Sequence, residues 1–269
     1  TRVGIRRQRQ MCIRDRDGFD CPLADMVMGE TAEGLAQDLG ITREAQDQFA
    51  IDSQRKAAEA IAAGRFADEL VQVTVAGRKG SIVVDADEHP RPGADLAPMA
   101  KLPAVFAKGF SGEGTVTPGN ASGITDGACA LVLASEAACE EHGWTPLAFV
   151  GRSSQAGVDP KRMGLGPVPA CAGLEETTGR AARDYDLVEL NEAFSAQVLA
   201  CDQDLALHHD RLNVNGGAIA LGHPIGATGA RIVTTMLHEL RRRGGEHGLA
   251  TLCISGGMGL SVAFDRTGL

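Results

Sequence analysis

The segment NVNGGAIALGHPIGATGARI, residues 213–232, constrains the fold of this chain more than any other stretch. Glycine permits turns and close backbone approaches that a Cβ would prevent, so the segment predicts tight turns packed against neighbouring backbone. Within it, His223 stands between Gly222 and Pro224, and proline restricts the backbone that follows the ring. Helical apolar spacing then runs from 226 to 243. The segment therefore predicts a structured turn that leads into a helix and holds one imidazole in place.

Strand and helix patterns alternate around this segment, which favours an α/β fold with helices packed on a mixed sheet. Apolar runs predict strands in the second half over 147–151, 187–190, 249–254 and 260–264. Helical patterns lie within 40–64, 168–184 and 192–207. A hairpin is predicted over 71–84, and the run GACALVLA predicts a buried strand over 127–134.

Composition excludes several classes of protein. The formal net charge of −9 argues against a nucleic-acid partner. No apolar run reaches the roughly 18 residues of a membrane-spanning helix, so no membrane association is expected. Seven cysteines occur without a CxxC pair, which indicates a reducing compartment, and we predict a cytoplasmic protein.

The first 16 residues differ from the rest, because they hold six arginines and one acidic residue. They are interpretable as a basic transit peptide, as a disordered arm, or as sequence that is not native to the protein. We favour the last interpretation and leave residues 1–16 out of the fold prediction.

Three side chains are candidates for chemistry, and each has an ordinary structural alternative. His223 precedes a helix N-terminus, where negative charge is stabilised, but a histidine with satisfied hydrogen bonds also suits such a turn. Cys253 ends an apolar strand before a glycine-rich turn, although most buried cysteines act as small apolar residues. Asn191 lies between a strand and a helix, where asparagine is a common N-cap. The small residues of 114–128 would let a ligand approach the backbone, or would form an ordinary loop.

Taken together, these segments resemble the thiolase family. The motifs are GNASGITDGA at 119–128, NEAF at 191–194, NVNGGAIALGHPIGATGAR at 213–231 and CISGGMG at 253–259. They occur in this order, and the similarity extends over 28–265. A dinucleotide-binding fold is disfavoured, because GHPIGATG spaces its glycines differently from GxGxxG.

The resemblance implies a layered α-β-α-β-α fold built from two similar halves, with a loop domain inserted in the first. On that template residues 17–124 form the loop domain, 125–143 the end of the N-terminal half, and 144–269 the C-terminal half. The fold is therefore expected to be incomplete, with the first half largely missing.

The resemblance also implies chemistry. Thiolases join two acyl-CoA units by Claisen condensation, or cleave 3-ketoacyl-CoA by thiolysis. By motif match, Cys253 is the acid/base at the α-carbon, and His223 activates a nucleophilic cysteine and lines an oxyanion hole. Asn191 positions the water that completes that hole.

Contacts to coenzyme A are implied in the same way. Ser122 matches a position that contacts the pantetheine chain, Met28 lies near the acyl pocket, and Arg91 falls where a basic residue contacts the CoA phosphates. CoA thioesters are the expected substrates, with no metal and no other cofactor, and the expected assembly is a homodimer or homotetramer.

Three departures from the family pattern stand out. The nucleophilic cysteine motif is absent, so a truncated thiolase is expected, and a catalytically inactive CoA-binding protein is the alternative. Val27 replaces a histidine that the family often carries. Ser255 replaces the first glycine of CxGGGMG, which would strain the backbone if that position needs a positive φ.

Overall fold

The structure is a computed structural model that describes residues 18–78, 80–110 and 112–269. Residues 1–16, which we interpret as non-native sequence, lie outside the described residues. The β-strands and α-helices in chain order are β1 Asp20–Cys21, β2 Met26–Val27, α1 Met28–Asp38, α2 Arg43–Ala62, β3 Val73–Gly77, β4 Gly80–Val84, α3 Leu96–Met99, α4 Glu136–His142, β5 Phe149–Gly157, α5 Pro167–Thr178, β6 Leu187–Leu190, α6 Ser195–Leu205, α7 Ala218–Leu221, α8 Thr228–Arg243, β7 His247–Ile254 and β8 Met258–Asp265. Short 3₁₀ helices lie at Pro160–Leu165 and Ala182–Asp184.

A four-stranded mixed sheet organises the second half, with the strand order β5-β8-β7-β6. Strand β7 runs parallel to β6 and antiparallel to β8, and β8 runs antiparallel to β5. All four residues of β6 are buried, as expected for a strand covered on both faces. The predicted α/β class with a mixed sheet is confirmed.

Helices cover both faces of this sheet. On one face, Ile232 and Met236 of α8 pack against Leu187 and Ala250. On the other, Leu174 of α5 packs in a cluster with the neighbouring strand residues Val188 and Leu249. Because successive strand residues point to opposite faces, this alternation places α5 and α8 on opposite sides of β6 and β7. The site described below lies at the carboxyl end of β6.

In the first half, capping residues and apolar patterns correctly predicted helix α2 and the β3–β4 hairpin. Thr42 caps α2, since its hydroxyl accepts a hydrogen bond from the Ala45 backbone N–H at 3.2 Å. Gly64 follows the helix with φ +66°, a conformation that glycine adopts without strain. The predicted hairpin forms as β3 paired with β4.

The predicted buried strand over 127–134 was wrong. These residues form neither a helix nor a strand, and none of the described residues forms a β-ladder with them. Val132 and Leu133 are 84% and 80% exposed. Apolar composition favours a strand, but a strand also needs a hydrogen-bonded neighbour and a covering layer.

The described part of the chain contains no helix long and apolar enough to span a membrane. Its six cysteines, which include Cys253, are all free thiols.

Candidate active site

Three of the motif segments meet at the end of β6. The backbone around Ser122 pairs with the NEAF segment: Ser122 N–H donates to Ala193 O at 3.0 Å, and Ser195 N–H donates to Asn120 O at 2.9 Å. The next residue, Gly123, accepts a hydrogen bond from the backbone N–H of His223 at 3.0 Å. Residues 120–123 therefore connect the NEAF segment to the histidine turn through main-chain hydrogen bonds, which do not depend on side-chain rotamers.

Asn191 is not a helix cap, so its structural alternative was wrong. Helix α6 begins only at Ser195, and Phe194 occupies the N-cap position. Asn191 is buried, and its backbone N–H donates to Thr251 O at 3.0 Å, which continues the pairing of β6 with β7. Its side-chain Nδ2 lies 3.3 Å from His223 Nε2. Within the described residues, its Oδ1 is buried without a hydrogen-bond partner, so it is free to accept from a bound water or ligand.

The His223 ring is held at both nitrogens. Nε2 faces Asn191, and Nδ1 lies 2.6 Å from the hydroxyl of Thr228. Burial, with a smaller contribution from the positive charge of Arg231, lowers the pKa of His223 to about 4. The imidazole is therefore neutral at neutral pH, and a neutral imidazole can accept a proton.

Cys253 lies near the end of β7, where it pairs with Gly259 of β8. Its side chain is partly buried against an apolar cluster that includes Cys21, Met28 and Met163. Burial raises the pKa of the Cys253 thiol to about 12. The group is therefore a protonated thiol at neutral pH, which is the form that donates a proton.

The turn after Cys253 places its positive φ angles on glycines. Gly256 and Gly257 have φ of 87° and 85°, and a Cβ on Gly257 would lie 2.3 Å from the carbonyl oxygen of Val158. Ser255 is not among the residues with positive φ, so replacing the first glycine of the motif with serine causes no backbone strain here.

The three residues predicted to contact CoA differ in how far they are buried and in how close they lie to the candidate catalytic groups. Met28 opens α1 and packs in the same cluster as Cys253. Ser122 is partly buried beside the NEAF segment. Arg91 is exposed, and its backbone N–H donates to Gln54 Oε1 at 2.9 Å. Their roles toward CoA remain predictions.

Sequence reasoning did not identify Glu192, whose side chain connects the NEAF segment to helix α2 and to the segment before the histidine turn. Its buried carboxyl group accepts hydrogen bonds from the Ser53 hydroxyl at 2.7 Å, from Asn213 Nδ2 at 2.9 Å and from the Ile219 backbone N–H at 3.2 Å. A Cβ on Gly217 would lie 2.2 Å from the carboxyl carbon. The available signal was its place in NEAF, directly after Asn191: a charged residue that follows a fully buried strand needs partners of its own.

A cavity of about 460 Å³ opens beside the His223 ring. It lies between residues 124–129 and the turn 223–227, with Phe19 at its side. Volumes in this range are typical of small-molecule sites. Thus a neutral imidazole, a buried amide and a substrate-sized space occur together, and a protonated thiol lies on the adjacent strand. This set of groups is suited to proton transfer and to stabilising a developing oxyanion.

The lowered pKa of His223 predicts a pH effect on stability. The folded-state pKa of about 4 lies below the usual value of 6.5, so the unfolded chain binds the proton more readily. The contribution of the neutral His223 ring to the unfolding free energy is therefore complete above pH 6.5, and it is lost as the pH falls toward 4. Relative to His223→Gln, the unfolding free energy of the wild type should fall by about 3 kcal/mol over that window. Urea denaturation of both proteins at several pH values measures this difference, and the comparison cancels the other titrating groups. A constant difference across the window would contradict the prediction.

Comparison with known proteins agrees with the motifs. The family model for the thiolase N-terminal domain matches residues 2–137, and the model for the thiolase C-terminal domain matches residues 144–266. An acetyl-CoA acetyltransferase from Paracoccus denitrificans is 50% identical over 251 residues, which cover 93% of this chain and 63% of the relative. The chain thus spans about 63% of the length of that relative.

Solved structures give the same result. The crystal structure of an acetyl-CoA acetyltransferase from Bacillus anthracis superposes with a TM-score of 0.88 at 45% identity, covering 92% of this chain and 62% of that one. Human mitochondrial 3-ketoacyl-CoA thiolase in complex with CoA superposes with a TM-score of 0.86 at 44% identity, covering 93% and 61%.

Proposed function

The chain belongs to the thiolase family, and on that premise we propose that the protein is an acyl-CoA C-acyltransferase. It joins two acyl-CoA units by Claisen condensation, or cleaves 3-ketoacyl-CoA with CoA in the reverse direction. The observation that carries the proposal is the neutral ring of His223, which contacts Asn191 at Nε2 and Thr228 at Nδ1. The alternative of an inactive CoA-binding protein finds no support in the relatives, whose names are those of enzymes.

The residues divide the chemistry between them. His223 is neutral, so it accepts the proton of the nucleophilic thiol that takes up the acyl group. Once protonated, its Nε2–H donates to the thioester oxygen on which negative charge develops. The unpartnered Oδ1 of Asn191 orients the water that supplies the second donor to that oxygen.

Cys253 acts at the α-carbon. During thiolysis the bond between the α- and β-carbons breaks, and the α-carbon takes the proton from the Cys253 thiol. The protonated state that burial favours suits this acid role. During condensation the Cys253 thiol first protonates the CoA thiolate that leaves as the acyl-enzyme forms. The resulting Cys253 thiolate then removes a proton from the α-carbon of the second acyl-CoA, and the carbanion attacks the acyl-enzyme.

We assign coenzyme A thioesters as substrates. Met28 contributes to the acyl pocket beside Cys253, Ser122 contacts the pantetheine chain, and Arg91 contacts the CoA phosphates. Support comes from the packing of Met28 with Cys253 and from the CoA bound to the human structure. We further propose that the enzyme needs no metal or other cofactor, acts in the cytoplasm, and assembles as a homodimer or homotetramer.

The protein as encoded by its gene is expected to cleave acetoacetyl-CoA in the presence of CoA, and parallel assays with longer 3-ketoacyl-CoA rank the acyl lengths. Asn191→Ala should lower kcat about 100-fold, because the water that Asn191 orients toward the oxyanion is no longer held in place. Gln203→Ala, an exposed amide on α6, is the control and should retain activity. The proposal would be rejected if the wild type cleaved neither substrate. Equal rates for Asn191→Ala and wild type would remove the role assigned to Asn191.

A further inference from the structure

Thr228 is the first residue of α8, and its side chain touches the His223 ring. It is fully buried. Its hydroxyl oxygen lies 2.6 Å from His223 Nδ1 and 3.0 Å from the carbonyl oxygen of Pro224. The other ring nitrogen, Nε2, lies 3.3 Å from Asn191 Nδ2.

The hydrogen-bonding capacity of these groups points to one arrangement. A threonine hydroxyl has a single proton, and a carbonyl oxygen only accepts. With that proton donated to Pro224, the hydroxyl oxygen accepts from Nδ1–H of the ring. At the other end, an amide NH₂ only donates, so Asn191 requires a lone pair on Nε2. Both contacts therefore favour the neutral ring with its proton on Nδ1.

We propose that Thr228 is a positioning residue that keeps His223 in the tautomer protonated on Nδ1, so that Nε2 presents its lone pair to the reacting thiol. The catalytic consequence rests on the proposed function. In the step it serves, the S–H bond of the nucleophile breaks and an N–H bond forms on Nε2, which leaves a thiolate and an imidazolium. Thr228 accepts from Nδ1–H before and after the transfer, so the ring does not have to reorient.

Two variants of the gene-encoded protein test the assignment. Thr228→Val keeps the shape but removes the hydroxyl, so the ring should shift toward protonation on Nε2. Its kcat for acetoacetyl-CoA cleavage should fall about 100-fold with KM unchanged, since a wrong tautomer disables a correctly placed histidine. Thr228→Ser keeps the hydroxyl and should restore most of the activity.

The tautomer itself is read from solid-state ¹⁵N spectra of protein labelled at its histidines, because protonated and unprotonated ring nitrogens give separate signals. The chain has seven histidines, and comparison with His223→Gln identifies the relevant one. Wild type and Thr228→Ser should show a proton on Nδ1, and Thr228→Val should show it on Nε2.

Thr234→Val is the matched control. In the wild type the Thr234 hydroxyl donates to the carbonyl oxygen of Ala230 at 2.9 Å on the same helix. The Thr234→Val variant therefore loses the same kind of hydrogen bond, but away from the His223 ring. Its ¹⁵N spectrum and its kcat should match those of the wild type. A wild-type spectrum with the proton on Nε2 would overturn the proposal, as would a Thr228→Val protein with unchanged spectrum and kcat. If the wild type shows the Nδ1 proton but no thiolase activity, the proposed function fails while the tautomer assignment stands.

Discussion

Replacing Cys253 with alanine is expected to lower kcat for acetoacetyl-CoA cleavage about 1,000-fold, because the proton donor to the α-carbon is lost. The side chain is partly buried and small, so the substitution removes one sulfur atom from the apolar cluster around Met28 and leaves the strand pairing intact. Binding of CoA should therefore be nearly unchanged. Steady-state kinetics give kcat, and calorimetric titration with CoA gives the affinity.

Cys139→Ala is the matched control for this experiment. Cys139 lies on α4, which has no buried residue, and its loss should leave kcat at the wild-type value. A Cys253→Ala protein with more than about a tenth of the wild-type kcat would show that another group supplies most of the proton transfer.

Replacing Glu192 with alanine is expected to reduce the unfolding free energy by about 4 kcal/mol. The substitution removes the only carboxyl group that joins Ser53, Asn213 and the Ile219 backbone N–H among the described residues. It leaves the Ser53 hydroxyl, one of the two Asn213 side-chain N–H groups and the Ile219 N–H without their acceptor. Total stabilities of globular proteins are on the order of 5–15 kcal/mol, so much of the native state would be lost. The surviving fraction should also have a lower kcat, since Asn191 and the histidine turn would lose their common anchor.

Urea denaturation followed by circular dichroism measures this loss. Glu192→Gln keeps the size and one acceptor, and should cost about 1–2 kcal/mol. Glu175→Ala, an exposed carboxyl on α5, should change stability by less than about 0.5 kcal/mol. A loss below about 1 kcal/mol for Glu192→Ala would mean that the three donors find other partners or water.

The outcomes for individual residues show why some predictions succeeded. Strand 187–190 and the helix that begins at Thr228 follow from apolar periodicity and from glycine placement, and both are confirmed. These signals are local, because a few consecutive residues carry the whole preference. The same reasoning failed at 127–134, where the apolar run predicted a buried strand but Val132 and Leu133 are exposed. Burial and strand pairing depend on what the rest of the molecule places alongside, which a short run does not encode.

The sequence by itself determined the order of the strands and main helices of the second half, the family resemblance, and the identity of three candidate side chains, Asn191, His223 and Cys253. Only the tertiary structure decided how these groups stand to one another. It placed Asn191 at 3.3 Å from the ring of His223, and it removed much of the ring and of the Cys253 thiol from solvent, which shifts both pKa values. It also revealed Glu192 and Thr228 as their supports. The physical reason is that hydrogen bonds and desolvation act between residues far apart in the chain, so pKa values and side-chain orientation arise only when the segments meet.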